Sequence, residues 1–414
     1  MKVAAAKAIA LLARENVPDE VVSAYGGDRP RYGKEYIIPS TFDPRLISVI
    51  PSAVAQAAMK SGVARKNISD LELYRDQLTN RLDPTMSLMQ GINAKVRKNP
   101  KRVIFAEGED ENMLKAAIEF GRNKLGTPIL IGAEKRIKEQ LKNIGLDENY
   151  KIEIVNSTDK EKREKYVKHL YKRLQREGQL ERDVDRLVRN ERIAWGASMI
   201  ACKDADAMVT GNIRHYAASI EKLKKVTDPR PGEEIFGMTM ITLKGKTILV
   251  ADTNVQDFPS PERLVKVSKS CVRVARLFGF DPKVAFLSHS TFGKPISKNT
   301  KHVRDAIELL KKENVNFDFD GEMQPDVALN PIYQEIYPFS KIVGNANILI
   351  MPALHSAAIS TKLMKVFGGG KLIGPLLIGL GSPIEVAPLR ASTSEILNLA
   401  SIAAYSSDVI DYSS

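Results

Sequence analysis

After Asn99-Pro100 the chain settles into a repeating texture. Short runs rich in apolar and β-branched residues at 103–106, 128–131, 152–155, 207–210, 284–287 and 348–351 are separated by longer stretches with helical spacing, and all but 152–155, which holds Glu153, lack a charged residue. A run that is apolar at consecutive positions has no solvent face, so these segments predict strands buried on both sides. Alternation with helices predicts a parallel sheet covered on both faces. Residues 236–242 and 247–251 flank Lys244-Gly245 and predict a hairpin at the edge of a second sheet. The most apolar run, 372–381, predicts a buried strand with its loop and is too short to span a bilayer. Residues 1–24 and 52–82 read as helix. Between them, Gly26, Gly27, Pro30, Gly33, Pro39, Pro44 and Pro51 predict a loop over 25–51.

Composition narrows the class. With 43% hydrophobic and 27% charged residues the chain is globular, and 414 residues suffice for two or three domains. Sixty-two Lys and Arg against 50 Asp and Glu leave a net charge of +12. The excess lies in residues 1–300, which hold 53 basic and 38 acidic side chains, whereas 301–414 hold 9 and 12. A basic surplus suits nucleic acid, a membrane surface or an anionic metabolite. No aromatic-plus-basic platform accompanies it, which argues against nucleic acid. The densest charged stretch, 134–192, mixes 17 basic with 13 acidic residues and predicts solvated helix faces. Cys202 and Cys271 form no CxxC pair, and residues 1–12 read as an amphipathic helix and not a signal peptide. Both fit a reducing cytoplasm.

Candidate chemistry clusters at predicted strand ends. Glu107-Gly108-Glu109-Asp110-Glu111 could hold a metal, but acids in a helix's first turn are the favoured reading. Ser288-His289-Ser290-Thr291-Phe292-Gly293 offers hydroxyls and a glycine where a strand meets a helix, which suits an anion. It is not a Walker loop. Asn212-Ile213-Arg214-His215-Tyr216 could clamp an anionic ligand, and His355 follows another strand. His169 and His302 lie in charged helices and are expected to face solvent. Gly368-Gly369-Gly370 precedes a strand instead of opening a helix, so it is no dinucleotide loop.

FAEGED, DAMVTGN, VADTNV, FLSHSTFG, FDGEMQPDVALNP, NILIMP and IGPLLIGL occur in the order and spacing of the phosphate acetyl/butyryl transferase family, which residues 90–410 resemble. Residues 1–60, with EYIIPSTFDPRL, resemble the end of the NAD(P)-binding domain of large bacterial malic enzymes. Those enzymes carry such a transferase-like domain at their C-terminus. The resemblance implies a helical tail and linker over 1–85 and a two-subdomain α/β domain over 86–414, related to isocitrate and isopropylmalate dehydrogenases. Subdomain one would comprise about 86–230 with 390–414, and subdomain two about 231–389.

Carried over by position, Ser288, Ser290, Thr291 and Gly293 match the family's SxSTxG phosphate loop, Asp252 its FADC stretch, and Gln324 and Asp326 its GExQxDAA stretch. Departures are as informative. Phe292 replaces a lysine, Thr253 a cysteine, and Glu221 an arginine. Pro388 and Leu389 fall on the Ser-Arg pair of active transferases, leaving Arg390 one position late. The expectation is therefore a chain with no catalytic residue and no metal of its own. It would bind acetyl-CoA or a related acyl-CoA as effector through Ser288, Ser290, Thr291, Gly293, Arg214, Asp252, Gln324, Asp326, His355 and Arg390. Its partners would be the malic-enzyme catalytic part, which holds the NAD(P) and divalent metal, and a second copy of itself, with no nucleic acid and no membrane. The alternative is an active phosphate acyltransferase.

Overall fold

The computed structural model describes residues 1–15, 17, 32–40, 43, 45–72, 74–75, 78, 84–145, 151–243, 246–253, 255, 257–295, 300–368, 371–410 and 412. The chain divides into two compact units, Met1–Gln90 with Lys244–Lys246, and Gly91–Leu243 with Thr247–Ser414.

The first unit contains helices α1 (Lys2–Leu12) and α2 (Leu46–Lys60), which pack on each other. Its small core includes Ala13, Val17 and Tyr36. Arg45 forks onto the buried Asp43, with Nε 3.0 Å from Oδ1 and Nη2 2.6 Å from Oδ2, and this pins the chain as it enters α2. Two expectations need correction. The helix starts at Leu46, inside the predicted loop, and carries Pro51 in its body. It then stops at Ser61-Gly62, where Gly62 takes a left-handed φ of 71°, so 61–70 is not helical. Residues 18–31 and 79–83 lie outside the described residues.

Helix α3 (Pro84–Lys98) runs across the division at Gln90/Gly91, and the second unit then alternates strand and helix. The order is β1 (Lys101–Phe105), α4 (Glu111–Arg122), β2 (Gly126–Ile131), α5 (Glu134–Asn143), β3 (Glu153–Val155), α6 (Lys160–Leu174), α7 (Glu181–Asn190), α8 (Arg192–Ala201), β4 (Ala207–Gly211) and α9 (Tyr216–Val226). It continues with β5 (Phe236–Leu243), β6 (Lys246–Ala251), α10 (Pro261–Leu277), β7 (Lys283–Leu287), α11 (Lys301–Lys312), β8 (Asp318–Met323), α12 (Pro325–Leu329), β9 (Ile348–Ile350), α13 (Leu354–Gly368), β10 (Lys371–Ile378), β11 (Ile384–Ala387) and α14 (Thr393–Val409). Local chemistry sets the starts. Asp110, Asp159 and Ser260 accept from backbone N–H groups of α4, α6 and α10, and Ser392 with Glu395 forms a reciprocal capping box on α14.

Two sheets result, as the alternation predicted. The first runs β11-β4-β1-β2-β3 with every neighbouring pair parallel. The second runs β10-β5-β6-β9-β7-β8. In it β6, β9, β7 and β8 are parallel, and β10 is antiparallel to β5. Around the first sheet, Ile104, Ile129 and Met208 pack with Tyr166 and Trp195, whose rings meet edge to face at 5.0 Å. Around the second, Val250, Ala285, Leu349 and Met323 fill the core.

Four strands differ from expectation. β5 and β6 are interior strands, because β10 covers β5 and takes the edge. Their turn, Lys244-Gly245, lies outside the described residues. β8 was not anticipated, since its DFDGEM sequence alternates charge with apolar residues as an edge strand does. β11 was not anticipated either. Its four residues include a glutamate, yet they pair with β4 in the first sheet, so the subdomain boundary placed at 389/390 falls after one strand too many.

That glutamate joins the two sheets. β10 is the edge of one and β11 the edge of the other, and Glu385 Oε2 on β11 accepts from Leu377 N on β10 at 2.9 Å. Burial pushes the Glu385 carboxyl up to about 8, opposed only partly by this hydrogen bond. The native state therefore holds a proton that the unfolded chain releases at ordinary carboxylate pH. Stability from this group is full at low pH and declines as pH rises towards about 8. Thermal melting should fall by several degrees between about pH 5 and about pH 8.5. Glu385→Gln, which keeps an acceptor for Leu377 N without an ionisable proton, should flatten that decline, and an unchanged slope in the variant would contradict the assignment.

Candidate functional site

Parallel strands point all their carboxyl ends the same way, and this gathers the candidate residues. The ends of β6, β9, β7 and β8 carry Asp252, His355, Ser288 to Gly293, and Gln324 with Asp326 respectively. Eight of the ten sequence-derived positions thus share one edge of the second sheet. Arg214 and Arg390 follow β4 and β11, at the carboxyl edge of the first. In open α/β sheets ligands bind outside the carboxyl ends where strand order reverses. The first sheet reverses between β1 and β4, the second between β7 and β9.

The Ser288–Gly293 loop is built around a residue that motif reading passed over. Glu322, only 1% exposed, lies next to the end of β8. Its Oε1 accepts from Ser290 Oγ at 2.9 Å and Gly293 N at 3.0 Å, with Arg304 Nη1 at 3.4 Å, and its carbonyl accepts from Phe292 N at 2.8 Å. Ser288 Oγ lies 3.2 Å from Ser290 Oγ. Gln324 locks the outer side, with its N–H on Thr291 Oγ1 at 3.2 Å and its Nε2 on the His289 carbonyl at 2.7 Å. The groups that suit an anion here already hold an internal one. Its signal in the sequence was a glutamate beside Gly321 in an otherwise strand-like run.

Other positions are held as follows. Phe292 takes a left-handed φ of 48° and packs against the rings of Tyr337 and Phe339 at 5.2 and 4.9 Å. Asp252 is buried and accepts from Gly237 N at 2.9 Å and Val255 N at 3.2 Å, which ties β5 to the end of β6. Asp326 Oδ2 accepts from Tyr333 OH at 3.0 Å. His355 is exposed at the start of α13. His302 does not face solvent freely: it is half-buried, 2.9 Å from the Pro352 carbonyl and tilted against Phe258.

At the first sheet, Glu107 is fully buried and not a helix-turn acid as expected. Its two oxygens accept from Thr210 Oγ1 and Gly211 N on β4, both at 3.0 Å. Burial pushes it up to about 7, against the pull of Thr210 and the nearby Arg214 and Arg192. Asp110 instead caps α4 and accepts from Asn212 Nδ2 at 2.5 Å. Arg214 is held by Glu191, 3.0 Å away, and Lys222 shares the same carboxylate at 2.6 Å. Burial lifts Glu191, but these two hydrogen-bonded cations outweigh it and keep the carboxyl below its ordinary value. Arg390 is exposed with φ 58°, and its N–H donates to the Asn212 carbonyl at 2.9 Å. The two arginines are therefore neighbours through Asn212, one engaged and one open. Among the described residues no three His, Cys, Asp or Glu side chains are grouped to hold a metal, and no helix is long and apolar enough to cross a membrane.

Comparison with known proteins places these features. The family model for Phosphate acetyl/butaryl transferase matches residues 87–404. The chain is 47% identical, over 98% of its length, to an NADP-dependent malic enzyme of Rhizobium meliloti, and covers 53% of that protein. It is 30% identical, over 77% of its length, to the phosphate acetyltransferase of Clostridium acetobutylicum, and covers 97% of it. A solved phosphotransacetylase from Streptococcus pyogenes superposes with a TM-score of 0.71 at 27% identity, covering 78% of this chain and 98% of that one. The chain spans about half the length of the curated malic enzymes it matches.

Glu322→Ala would leave the buried Ser290 hydroxyl and the half-buried Gly293 N–H without their acceptor, while Arg304 keeps Thr300 Oγ1 at 3.1 Å. We expect a loss of about 1–3 kcal/mol in chemical denaturation, the range for leaving buried donors without an acceptor. A loss below ~1 kcal/mol would show that the loop does not depend on this carboxylate.

Proposed function

Given that the chain belongs to the phosphate acetyl/butyryl transferase family, we propose that it is a catalytically degenerate member. In this reading it binds acetyl-CoA or a related acyl-CoA and regulates the malic enzyme of which it forms the C-terminal part. The observation that carries the reading is the fate of the Ser-Arg pair: Pro388 and Leu389 stand there, following β11. Moving an acetyl group between a thiol and phosphate builds negative charge that a fixed cation must meet, and loss of one such group costs roughly 10²–10³ in rate. Phe292 removes a second cation, and its ring is spent on an aromatic cluster. The exposed Arg390 still suits a polyanionic ligand.

The malate chemistry, with its NAD(P) and divalent metal, belongs in this reading to the part of the protein beyond this chain, in the cytoplasm. Residues 1–60 would complete the NAD(P)-binding domain. Val3, Leu11, Ile37 and Ile38 are exposed apolar residues of the first unit, as expected of a piece whose covering lies elsewhere. Regulation requires acyl-CoA to bind two states of the whole enzyme unequally.

Isothermal titration of the chain with acetyl-CoA should give saturable heat with a Kd below ~1 mM. No heat would sink the binding reading. A thiol-release assay with acetyl-CoA and phosphate should show turnover below ~1 per second, and faster turnover would establish the active transferase instead.

Self-association belongs to the same reading. On α13, Ile359, Leu363, Val366 and Phe367 recur at helical spacing and are exposed, Phe367 at 84%. We expect a dimer in light scattering and a monomer for the Leu363→Asp/Phe367→Asp double variant. A double variant that still dimerises would place the interface elsewhere.

A further inference from the structure

The carboxyl edge of the first sheet holds a cavity that none of the sequence-derived positions lines. It has a volume of about 440 Å³, within the range of small-molecule sites. Its walls come from the residues after β2, those after β3, and the junction of α7 with α8. Three features of the lining agree. First, its charges are unequally committed. Glu134 pairs with Lys138 at 2.8 Å, Glu191 with Arg214 and Lys222, and Arg192 with Glu109 at 3.0 Å. Lys135 and Arg189 are exposed and form no ion pair among the described residues, so the uncommitted charge is positive.

Second, two helices of ten residues begin at this wall, α5 after Ala133 and α8 after Glu191; at α5 Glu109 already accepts from Ala133 N at 2.8 Å, whereas α8 has no cap from the side chain of Glu191. Third, Trp195 lines the cavity at 1% exposure, and its indole N–H has no hydrogen-bond partner among the described residues. A buried indole N–H ordinarily finds an acceptor, so an orphan beside a cavity marks a place for one. Ser157 adds a hydroxyl group to the lining, and the Thr158 hydroxyl there is held by Asn156 Oδ1.

The geometry points to a second anion site, separate from the Ser288 loop, that takes a phosphorylated small molecule the size of a nucleoside diphosphate. Lys135 and Arg189 would meet its phosphates, and the N-terminus of α8 would add N–H donors. This site does not depend on acetyl-CoA binding at the second sheet.

Trp195 is the only tryptophan in the chain, so its fluorescence reports on this wall alone. Titration of the full chain with inorganic pyrophosphate and with ADP, at constant ionic strength, should give a saturable change. In Lys135→Ala/Arg189→Ala the midpoint should rise at least about tenfold, as loss of two charge-assisted contacts implies. Both side chains are exposed, so the variant should melt like the parent. Ser290→Ala should leave the midpoint where it was. The proposal fails if no saturable change appears by ~10 mM ligand, or if the double variant binds as the parent does. It also fails if Ser290→Ala, and not the double variant, moves the midpoint, because the ligand then sits at the second sheet.

Discussion

A carboxylate withdrawn from water has to be met by donors or by a proton, and this fold places three such glutamates at its joints. Glu107 links the ends of β1 and β4, Glu322 fills the loop after β7, and Glu385 spans from one sheet to the other. Each is essentially buried, and each reaches backbone N–H groups of a neighbouring segment. The solutions differ. Glu322 gathers a hydroxyl, an N–H and a guanidinium. Glu107 and Glu385 have fewer partners, and burial raises both. Apolar packing alone would fill the two cores, but it would not fix the strand ends against each other, and the strand ends are where ligands meet this kind of sheet.

The same logic separates what the sequence made legible from what it hid. Strands buried on both faces announce themselves, because their runs have no charged member. β1, β2, β4, β7 and β9 were readable for that reason. β8 and β11 were not, since each contains a buried carboxylate whose partner lies on another element. A lone Glu385 in a four-residue segment looks like loop until Leu377 is seen beside it. Helix breakers misled in the other direction. Pro51 sits within α2, and Ser52 Oγ donates to the Ser48 carbonyl nearby.

The candidate residues fared similarly. Position after a strand was a sound guide, because parallel topology gathers carboxyl ends without help from any one side chain. What each side chain does there was not readable. Arg214 appeared free to clamp a ligand but is committed to Glu191, a residue 23 positions earlier. The lining of the cavity beside Trp195 gave no motif at all, being assembled from three separate segments.

The strand order also dictates a sequence of events. β5 through β10 follow one another along the chain and form the second sheet without interruption. The first sheet is split: β1 to β4 come early, whereas β11, which pairs with β4, comes after β10. The two connecting segments run side by side, with Arg230 N donating to the Gly379 carbonyl and Gly381 N to the Asp228 carbonyl. On the ribosome, then, the lobe that begins first finishes last. The edge of β4 stays bare until some 170 further residues have emerged, and a chain stopped anywhere short of β11 exposes it as a template for mispairing.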